Sequence, residues 1–190
     1  MNTLKTMTLE PKTIENADGV SSKILENTEK KLGFIPNMYL GMANNPALLD
    51  SYVAGYNSFR ANSDFTPQEQ EVVLLSVAFE NGCEYCMAAH SFVGDHMTNV
   101  PAEVTNAIRD NAEIPDDKLK ALSLFTKIVT STRGLPLQTD IDSFLSAGYT
   151  EKHILGVITA VGIKTMSNYF NHIFNTVVDD VFKDRVWKKA

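Results

Sequence analysis

Two cysteines and a histidine stand at helical spacing in the middle of the chain. Cys83 and Cys86 are three residues apart, and His90 follows four residues later. At 100° per residue these side chains fall within an arc of roughly 60° on one helix face, so two thiols and an imidazole can share one pocket. Cys83 follows Asn81-Gly82, where free backbone amides and the helix dipole favour a thiolate. The spacing therefore predicts a reactive dithiol, with Cys83 as the more acidic thiol.

The helix before this turn supplies a carboxylate. Glu71 lies in a segment that is apolar on nearly all sides, so we expect the helix, and Glu71 with it, to be buried. A buried carboxylate without a partner is costly. Folding the two helices back on each other at Gly82 brings Glu71, roughly 16 Å before the turn, level with His90, roughly 12 Å after it. Glu71 is therefore predicted to hold His90, which can exchange protons with a thiol.

A Cys-x-x-Cys motif has two other common uses besides a redox pair. Zinc could take Cys83, Cys86 and His90, but structural zinc sites usually draw on two segments and a fourth ligand, which the sequence does not offer. A thioredoxin-type site needs a strand before its helix. The redox interpretation is favoured, and zinc binding is kept as an alternative.

Other polar residues have simpler structural interpretations. His96 is predicted to be a solvated residue at a helix end, and His153 a capping or surface residue. Three polar residues on an otherwise apolar helix are predicted to be core or interface groups: Asn168, Asn171 and His172.

Composition limits the class of protein. The chain has 190 residues, 44% of them hydrophobic, and a formal net charge of −6, which suits one globular domain and argues against nucleic-acid or anionic-membrane partners. Two cysteines exclude a secreted disulfide framework. The first residues lack the pattern of a signal or transit peptide, and no apolar stretch has membrane-spanning length. We expect a cytoplasmic protein.

Helix start and stop signals recur along the chain, and period-2 alternation is missing, so the predicted fold is all-α. Thr66-Pro67-Gln68-Glu69 is the strongest start signal, a capping box with proline in the first turn. We predict an N-terminal extension over 1–19 and one helical domain over 20–190. The predicted helices cover 46–61, 66–82, 83–97, 101–111, 116–132, 139–148 and 150–164, and a last one from Ser167 or Asn168 towards Val181.

The two halves of the chain show a hint of internal duplication. An offset of 84 residues places Thr66 on Thr150 and Cys83 on Ser167. The identity is slight, so two pseudo-repeated helical units and the recurrence of a common helical hairpin both stay open.

The combination of Glu71, Cys83-Glu84-Tyr85-Cys86 and His90 resembles the alkyl hydroperoxidase D (AhpD) signature within the carboxymuconolactone decarboxylase superfamily. Further segments resemble the peroxidase-related branch of that superfamily: Gly33-Phe34-Ile35-Pro36-Asn37, Asn45-Pro46 and Asn168-Tyr169-Phe170-Asn171-His172. The resemblance implies an AhpD-like helical bundle assembled as homotrimers or dimers of trimers. It also implies thiol-dependent reduction of organic hydroperoxides without heme, flavin or metal.

The resemblance also assigns roles to residues. Cys86 would attack the peroxide, Cys83 would resolve the product, and Glu71 with His90 would form a proton relay. The partners would be an organic hydroperoxide or similar small oxidant and an external dithiol or thiol-protein reductant. The characterised peroxidases of this family carry a histidine directly before the second cysteine, where this chain has Tyr85.

The leading hypothesis from the sequence is an antioxidant thiol peroxidase or disulfide reductase. Tyr85 motivates an alternative, a redox-sensing or scaffold protein whose disulfide changes oligomer contacts without turnover. A lactone decarboxylase is disfavoured, because that branch lacks the paired cysteines.

Overall fold

The computed structural model describes residues 7–189. Within that range the chain forms nine α-helices and one 3₁₀ helix and no strand, which confirms the all-α prediction. The elements are α1 (Gly19–Leu32), α2 (Asn37–Met42), α3 (Pro46–Asn62), α4 (Pro67–Glu80), α5 (Glu84–His96), α6 (Ala102–Asp110), α7 (Asp117–Ser131), α8 (Gln138–Ser146), α9 (Glu151–Phe174) and the 3₁₀ helix (Asp180–Arg185).

Local capping chemistry explains most of the helix boundaries. The Asn45 side chain accepts from the Leu48 amide at the start of α3. Thr66 and Glu69 form the reciprocal capping box that opens α4, and Asp116 accepts from the Leu119 amide at the start of α7. These contacts satisfy amides that have no partner within the helix. The predicted boundaries of α3 to α8 are confirmed to within two residues or so.

Helix α4 is the centre of the fold. It packs against α5, α6, α7 and α9, and each residue from Glu69 to Ala78 is buried. A helix that is apolar on all sides has no face suited to water, so neighbouring helices cover it. The prediction that this helix is buried together with Glu71 is confirmed.

The predicted helix break after Lys164 is wrong. Helix α9 runs without interruption from Glu151 to Phe174, so no new helix begins at Ser167 or Asn168. The hydroxyl groups that suggested a cap bond inside the helix instead, since Thr165 Oγ1 donates to the Val161 carbonyl at 2.7 Å and Ser167 Oγ to that of Lys164 at 3.2 Å. Ser and Thr can bond back to a preceding carbonyl without ending a helix.

The continuous α9 also removes the turn that the proposed internal repeat requires. Cys83 caps the helix after a tight turn, whereas Ser167 lies inside α9. The first half therefore has two helices, α4 and α5, where the second half has one.

The ends of the described chain pack onto the helical body. Of the predicted N-terminal extension, residues 1–6 lie outside the described range, and Met7 and Lys12 donate from their amides to the carbonyls of Ile173 and Leu40. Helices α1 and α2 were not predicted from start and stop signals. After α9, the 3₁₀ helix packs against α5. None of the helices between residues 7 and 189 combines the length and hydrophobicity needed to cross a bilayer.

Two glycines of α9 differ in the space that surrounds them. A Cβ atom at Gly156 would lie 2.9 Å from Phe65 Cε2 and 3.1 Å from the Ser63 carbonyl oxygen, whereas one at Gly162 would meet nothing within 4 Å. We expect Gly156→Ala to lower the free energy of unfolding by about 1–3 kcal/mol through overpacking. Gly162→Ala should raise it by up to about 1 kcal/mol, since alanine favours the helix. Urea unfolding of both variants checks this, and equal stability of the two would contradict the packing described for α9.

Candidate active site

The dithiol lies at the start of α5. Cys83 is the N-cap residue, with an extended backbone, and Cys86 follows in the first turn. Both thiols are free and almost completely shielded from solvent, with exposed fractions of 0% for Cys83 and 2% for Cys86. The preceding turn, where Gly82 has a φ of +68°, brings the chain back from α4. The structure thus places both thiols inside the protein.

Helix α9 supplies polar groups to the dithiol. Asn171 Nδ2 lies 3.3 Å from Cys86 Sγ and 3.8 Å from Cys83 Sγ. The Cys86 thiol lies 3.9 Å from Ser167 Oγ. Asn168 Oδ1 accepts from Asn81 Nδ2 at 2.9 Å, which ties α9 to the turn before Cys83. The α9 face is therefore one wall of the site.

Sequence reasoning missed these α9 contacts with the thiols. Asn171 was predicted to be a core or interface group, and it is buried, but it also bonds to the dithiol. Its signal was a polar set at positions i, i+3, i+4 and i+7 on an apolar helix. The predicted break at Ser167 hid that set by dividing it between two helices. The set is Lys164, Ser167, Asn168 and Asn171.

The predicted contact between Glu71 and His90 is present. Glu71 is wholly buried, with an exposed fraction of 0%, and its Oε2 lies 2.9 Å from His90 Nδ1. Arg60 of α3 forms an ion pair with the other carboxylate oxygen, and it also donates to Tyr56 Oη at 2.6 Å. Sequence reasoning did not find Arg60. Three successive helices, α3, α4 and α5, therefore meet at one carboxylate.

The charge states of Glu71 and His90 follow from these contacts. Burial raises the pKa of Glu71, but His90 and Arg60 outweigh it and hold that pKa below 4.5. Burial and the positive charge of Lys164 lower the pKa of His90 below 6.5, against the attraction of Glu71. Near neutral pH the pair is a carboxylate and a neutral imidazole. Nδ1 then carries the proton that bonds to Glu71, and Nε2 is free to accept a proton.

The two thiols differ in acidity, in the order opposite to the prediction from the helix terminus. Burial raises the pKa of Cys86 too, but the hydrogen bond from Cys83, the positive charge of Lys164 and the neighbouring imidazole of His90 outweigh it and bring that pKa well below its usual range. Burial, and then the hydrogen bond and charge of Cys86, raise the pKa of Cys83. Cys86 is the more acidic thiol, because the hydrogen bond from Cys83 and the positive charge of Lys164 favour its thiolate more than the helix end favours that of Cys83.

Tyr85 points away from this chemistry. Its hydroxyl donates to Asp179 Oδ2 at 2.6 Å, and the other carboxylate oxygen of Asp179 accepts from the Asn37 amide at 3.0 Å. The tyrosine therefore fixes the segment between α9 and the 3₁₀ helix against α5.

The remaining histidines lie outside the site. His96 is exposed, as predicted, and His153 accepts at Nδ1 from the Thr150 amide at 3.1 Å, which confirms its capping role. His172 is exposed on α9.

Residues 7–189 bring together no group of three or more histidine, cysteine, aspartate or glutamate side chains suited to holding a metal ion. The ligand set of the zinc alternative is therefore not assembled in this arrangement.

The fold is that of AhpD-like helical proteins. A crystal structure described as alkylhydroperoxidase AhpD core, an uncharacterized peroxidase-related protein from Ralstonia eutropha JMP134, has a TM-score of 0.82 and 18% sequence identity, over 99% of this chain and 100% of that one. An uncharacterized peroxidase-related protein from Silicibacter sp. TM1040 has a TM-score of 0.79 and 19% identity, over 94% of both chains.

A third similar structure is a cysteine-to-alanine variant of the debrominase Bmp8 in complex with 2,3,4-tribromopyrrole. Its TM-score is 0.75 at 16% identity, over 97% of this chain and 96% of that one. Neither a protein-family model nor a curated protein matches the chain.

The buried His90 predicts loss of stability in acid. Its pKa lies below 6.5 in the folded protein, so the unfolded chain binds that proton first, and the stability due to neutral His90 is lost as the pH falls below 6.5. Glu71 adds a second loss as the pH falls below 4.5. When the pH is lowered from neutral, the melting temperature should decrease in two stages, first below pH 6.5 and again below pH 4.5.

His90→Gln should flatten the loss that begins at pH 6.5, and His96→Gln, a change at an exposed position of the same helix, should leave it in place. An equally steep loss in His90→Gln would show that another group titrates.

Proposed function

We propose that this protein is a thiol-dependent reductase of organic hydroperoxides. The observation that carries the proposal is the pair of buried thiols at the start of α5, in which the acidic Cys86 lies beside the less acidic Cys83. The AhpD-like fold supports it, since two similar structures are named as peroxidase-related proteins. His90, held by Glu71, supplies a base on the same helix face.

The first step oxidises Cys86. Nε2 of His90 takes up a proton from solvent, and the Cys86 thiolate attacks the outer oxygen of the hydroperoxide. A sulfur–oxygen bond forms as the oxygen–oxygen bond breaks, and the leaving oxygen takes the proton from His90 and departs as an alcohol. Cys86 is left as a sulfenic acid. The Glu71 carboxylate stabilises the imidazolium that forms in passing.

The second step closes the disulfide. The Cys83 sulfur attacks the Cys86 sulfenic sulfur, a sulfur–sulfur bond forms, and the sulfenic oxygen leaves as water with the Cys83 proton. The two electrons that reduced the peroxide come from the two thiols. An external dithiol then returns them by thiol–disulfide exchange. A higher pKa suits Cys83 to this role, because it stays protonated while Cys86 reacts.

Reductive debromination is a second candidate, favoured by the similarity to a debrominase fold. The same thiolate would attack bromine on an aromatic ring, the ring carbon would take a proton, and Cys83 would displace bromide to give the same disulfide. Tyr52, which is buried, and Tyr56 stack on α3 with ring centroids 5.9 Å apart, and would supply aromatic packing for such a ring. Release of bromide from 2,3,4-tribromopyrrole, with a dithiol present, tests this candidate.

Peroxide consumption and intact mass test the main proposal. Reduced protein is mixed with a small excess of cumene hydroperoxide, and the free thiols are alkylated at successive times. We expect both free thiols to disappear rapidly, with a mass decrease of two hydrogens per subunit. When dithiothreitol is supplied, each subunit should complete many turnovers. Oxidation that stops after one equivalent, with the reductant present, would instead support the redox-sensor hypothesis.

Single cysteine variants separate the two roles. Cys83→Ser should still form a sulfenic acid at Cys86, which dimedone traps, but should not form the intramolecular disulfide. Cys86→Ser should consume peroxide no faster than buffer. Turnover by Cys86→Ser at the native rate would remove Cys86 from the reaction.

A further inference from the structure

Lys164 is a buried cation of the site, and none of the contacts described above compensates its charge. Its exposed fraction is 0%, and among residues 7–189 its Nζ atom has neither a hydrogen-bond partner nor a carboxylate within salt-bridge distance. A buried ammonium without a partner is costly. Its position in the centre of α9 therefore calls for a compensating anion.

The position of Lys164 on α9 places it at the dithiol. It lies three residues before Ser167 and seven before Asn171, so all three share one face of the helix. Ser167 Oγ and Asn171 Nδ2 lie 3.9 Å and 3.3 Å from Cys86 Sγ. Lys164 continues that polar face by one helical turn.

A charge inventory of the site leaves one partner for this cation. The Glu71 carboxylate is neutralised by Arg60 and bonded to His90, and the Asp179 carboxylate is taken by Tyr85 and the Asn37 amide. Burial raises the pKa of each phenol near the thiols, those of Tyr52, Tyr56 and Tyr85, so none of them ionises at neutral pH. The thiols remain.

We propose that Lys164 is the counter-ion of the Cys86 thiolate, and that this buried pair keeps the nucleophile ionised before any substrate arrives. The site then holds two charge pairs, Glu71 with Arg60 and Cys86 with Lys164. The neutral imidazole of His90 lies on the same helix as Cys86 and bonds to Glu71. The inference rests on the proposed function only in treating Cys86 as the nucleophile.

The acidity of Cys86 agrees with this pairing. Burial opposes ionisation, and the groups that lower the pKa of Cys86 are Cys83, Lys164 and His90. His90 is neutral near pH 7, so Lys164 is the permanent positive charge among them. The charged and titratable groups of the site are Tyr52, Tyr56 and Arg60 of α3, Glu71 of α4, Cys83, Tyr85 and His90 around the start of α5, and Lys164 of α9.

Thiolate absorbance in the ultraviolet, titrated with pH, measures the proposal directly. The difference between native protein and Cys86→Ser isolates the Cys86 thiolate. In Lys164→Met we expect its midpoint to rise by at least one pH unit, a tenfold loss of thiolate below the midpoint. The matched control is Lys152→Met, an exposed lysine of the same helix, which should leave the midpoint in place. An unchanged midpoint in Lys164→Met would overturn the proposal.

A double-mutant cycle supplies a second measurement, by urea unfolding at pH 8. Cys86→Ser leaves Lys164 without its anion, so it should lose more stability than Cys83→Ser. Adding Lys164→Met to Cys86→Ser should restore stability, whereas strictly additive effects would overturn the pairing. If Lys164→Met alone does not fold, the double variant decides: folding of the double variant supports the pair, and failure of both assigns Lys164 a purely structural role.

Neither measurement uses a peroxide. A protein whose Cys86 midpoint depends on Lys164 but which turns over no hydroperoxide would overturn the proposed function and leave the ion pair standing. Peroxide turnover that survives in Lys164→Met with an unchanged midpoint would overturn the ion pair and leave the proposed function standing.

Discussion

The arrangement of the site depends on one constraint, which is that the Glu71 carboxylate of α4 is completely shielded from solvent. Taking an ionised carboxylate out of water costs several kcal/mol unless neighbouring groups replace its hydration. Here a guanidinium from α3 and an imidazole from α5 do so, one at each oxygen. Because the same side chain joins three helices, the orientation of His90 is determined by the packing of the core itself.

This arrangement separates permanent charge from the imidazole that we propose as the proton carrier. Arg60 neutralises Glu71, and burial together with Lys164 keeps His90 neutral, so the imidazole can accept a proton and release it again. General acid–base catalysis needs a group that can do both near the working pH. The hydrogen bond from Cys83, together with the positive charge of Lys164, then favours thiolate at Cys86 over Cys83, although Cys83 has the better position for the helix dipole. Side-chain charges within a low-dielectric interior outweigh that partial charge.

Tyr85 shows how a position inside a reactive motif can serve structure instead. Its side chain leaves the thiol face of α5 and bonds to Asp179. Its ring packs edge-on against Phe182 of the 3₁₀ helix, with ring centroids 6.4 Å apart, within the range of about 4.5–7 Å that is usual for aromatic pairs. The segment after α9 is thereby held over the start of α5. The proton relay that we propose for Glu71 and His90 therefore has no member at position 85.

Local sequence determined much of this protein. The Thr66–Glu69 capping box, the apolar circumference of α4, the turn at Gly82 and the helical spacing of Cys83, Cys86 and His90 depend on neighbours within a few residues, and the burial of Glu71 and its contact with His90 follow from them. Tertiary structure decided the rest. The length of α9, the approach of Asn171 to both thiols, the pairing of Arg60 with Glu71 and the order of thiol acidity all depend on groups far apart in the chain. Charge and burial at such contacts are set by which helices pack together, and spacing along one helix cannot show that.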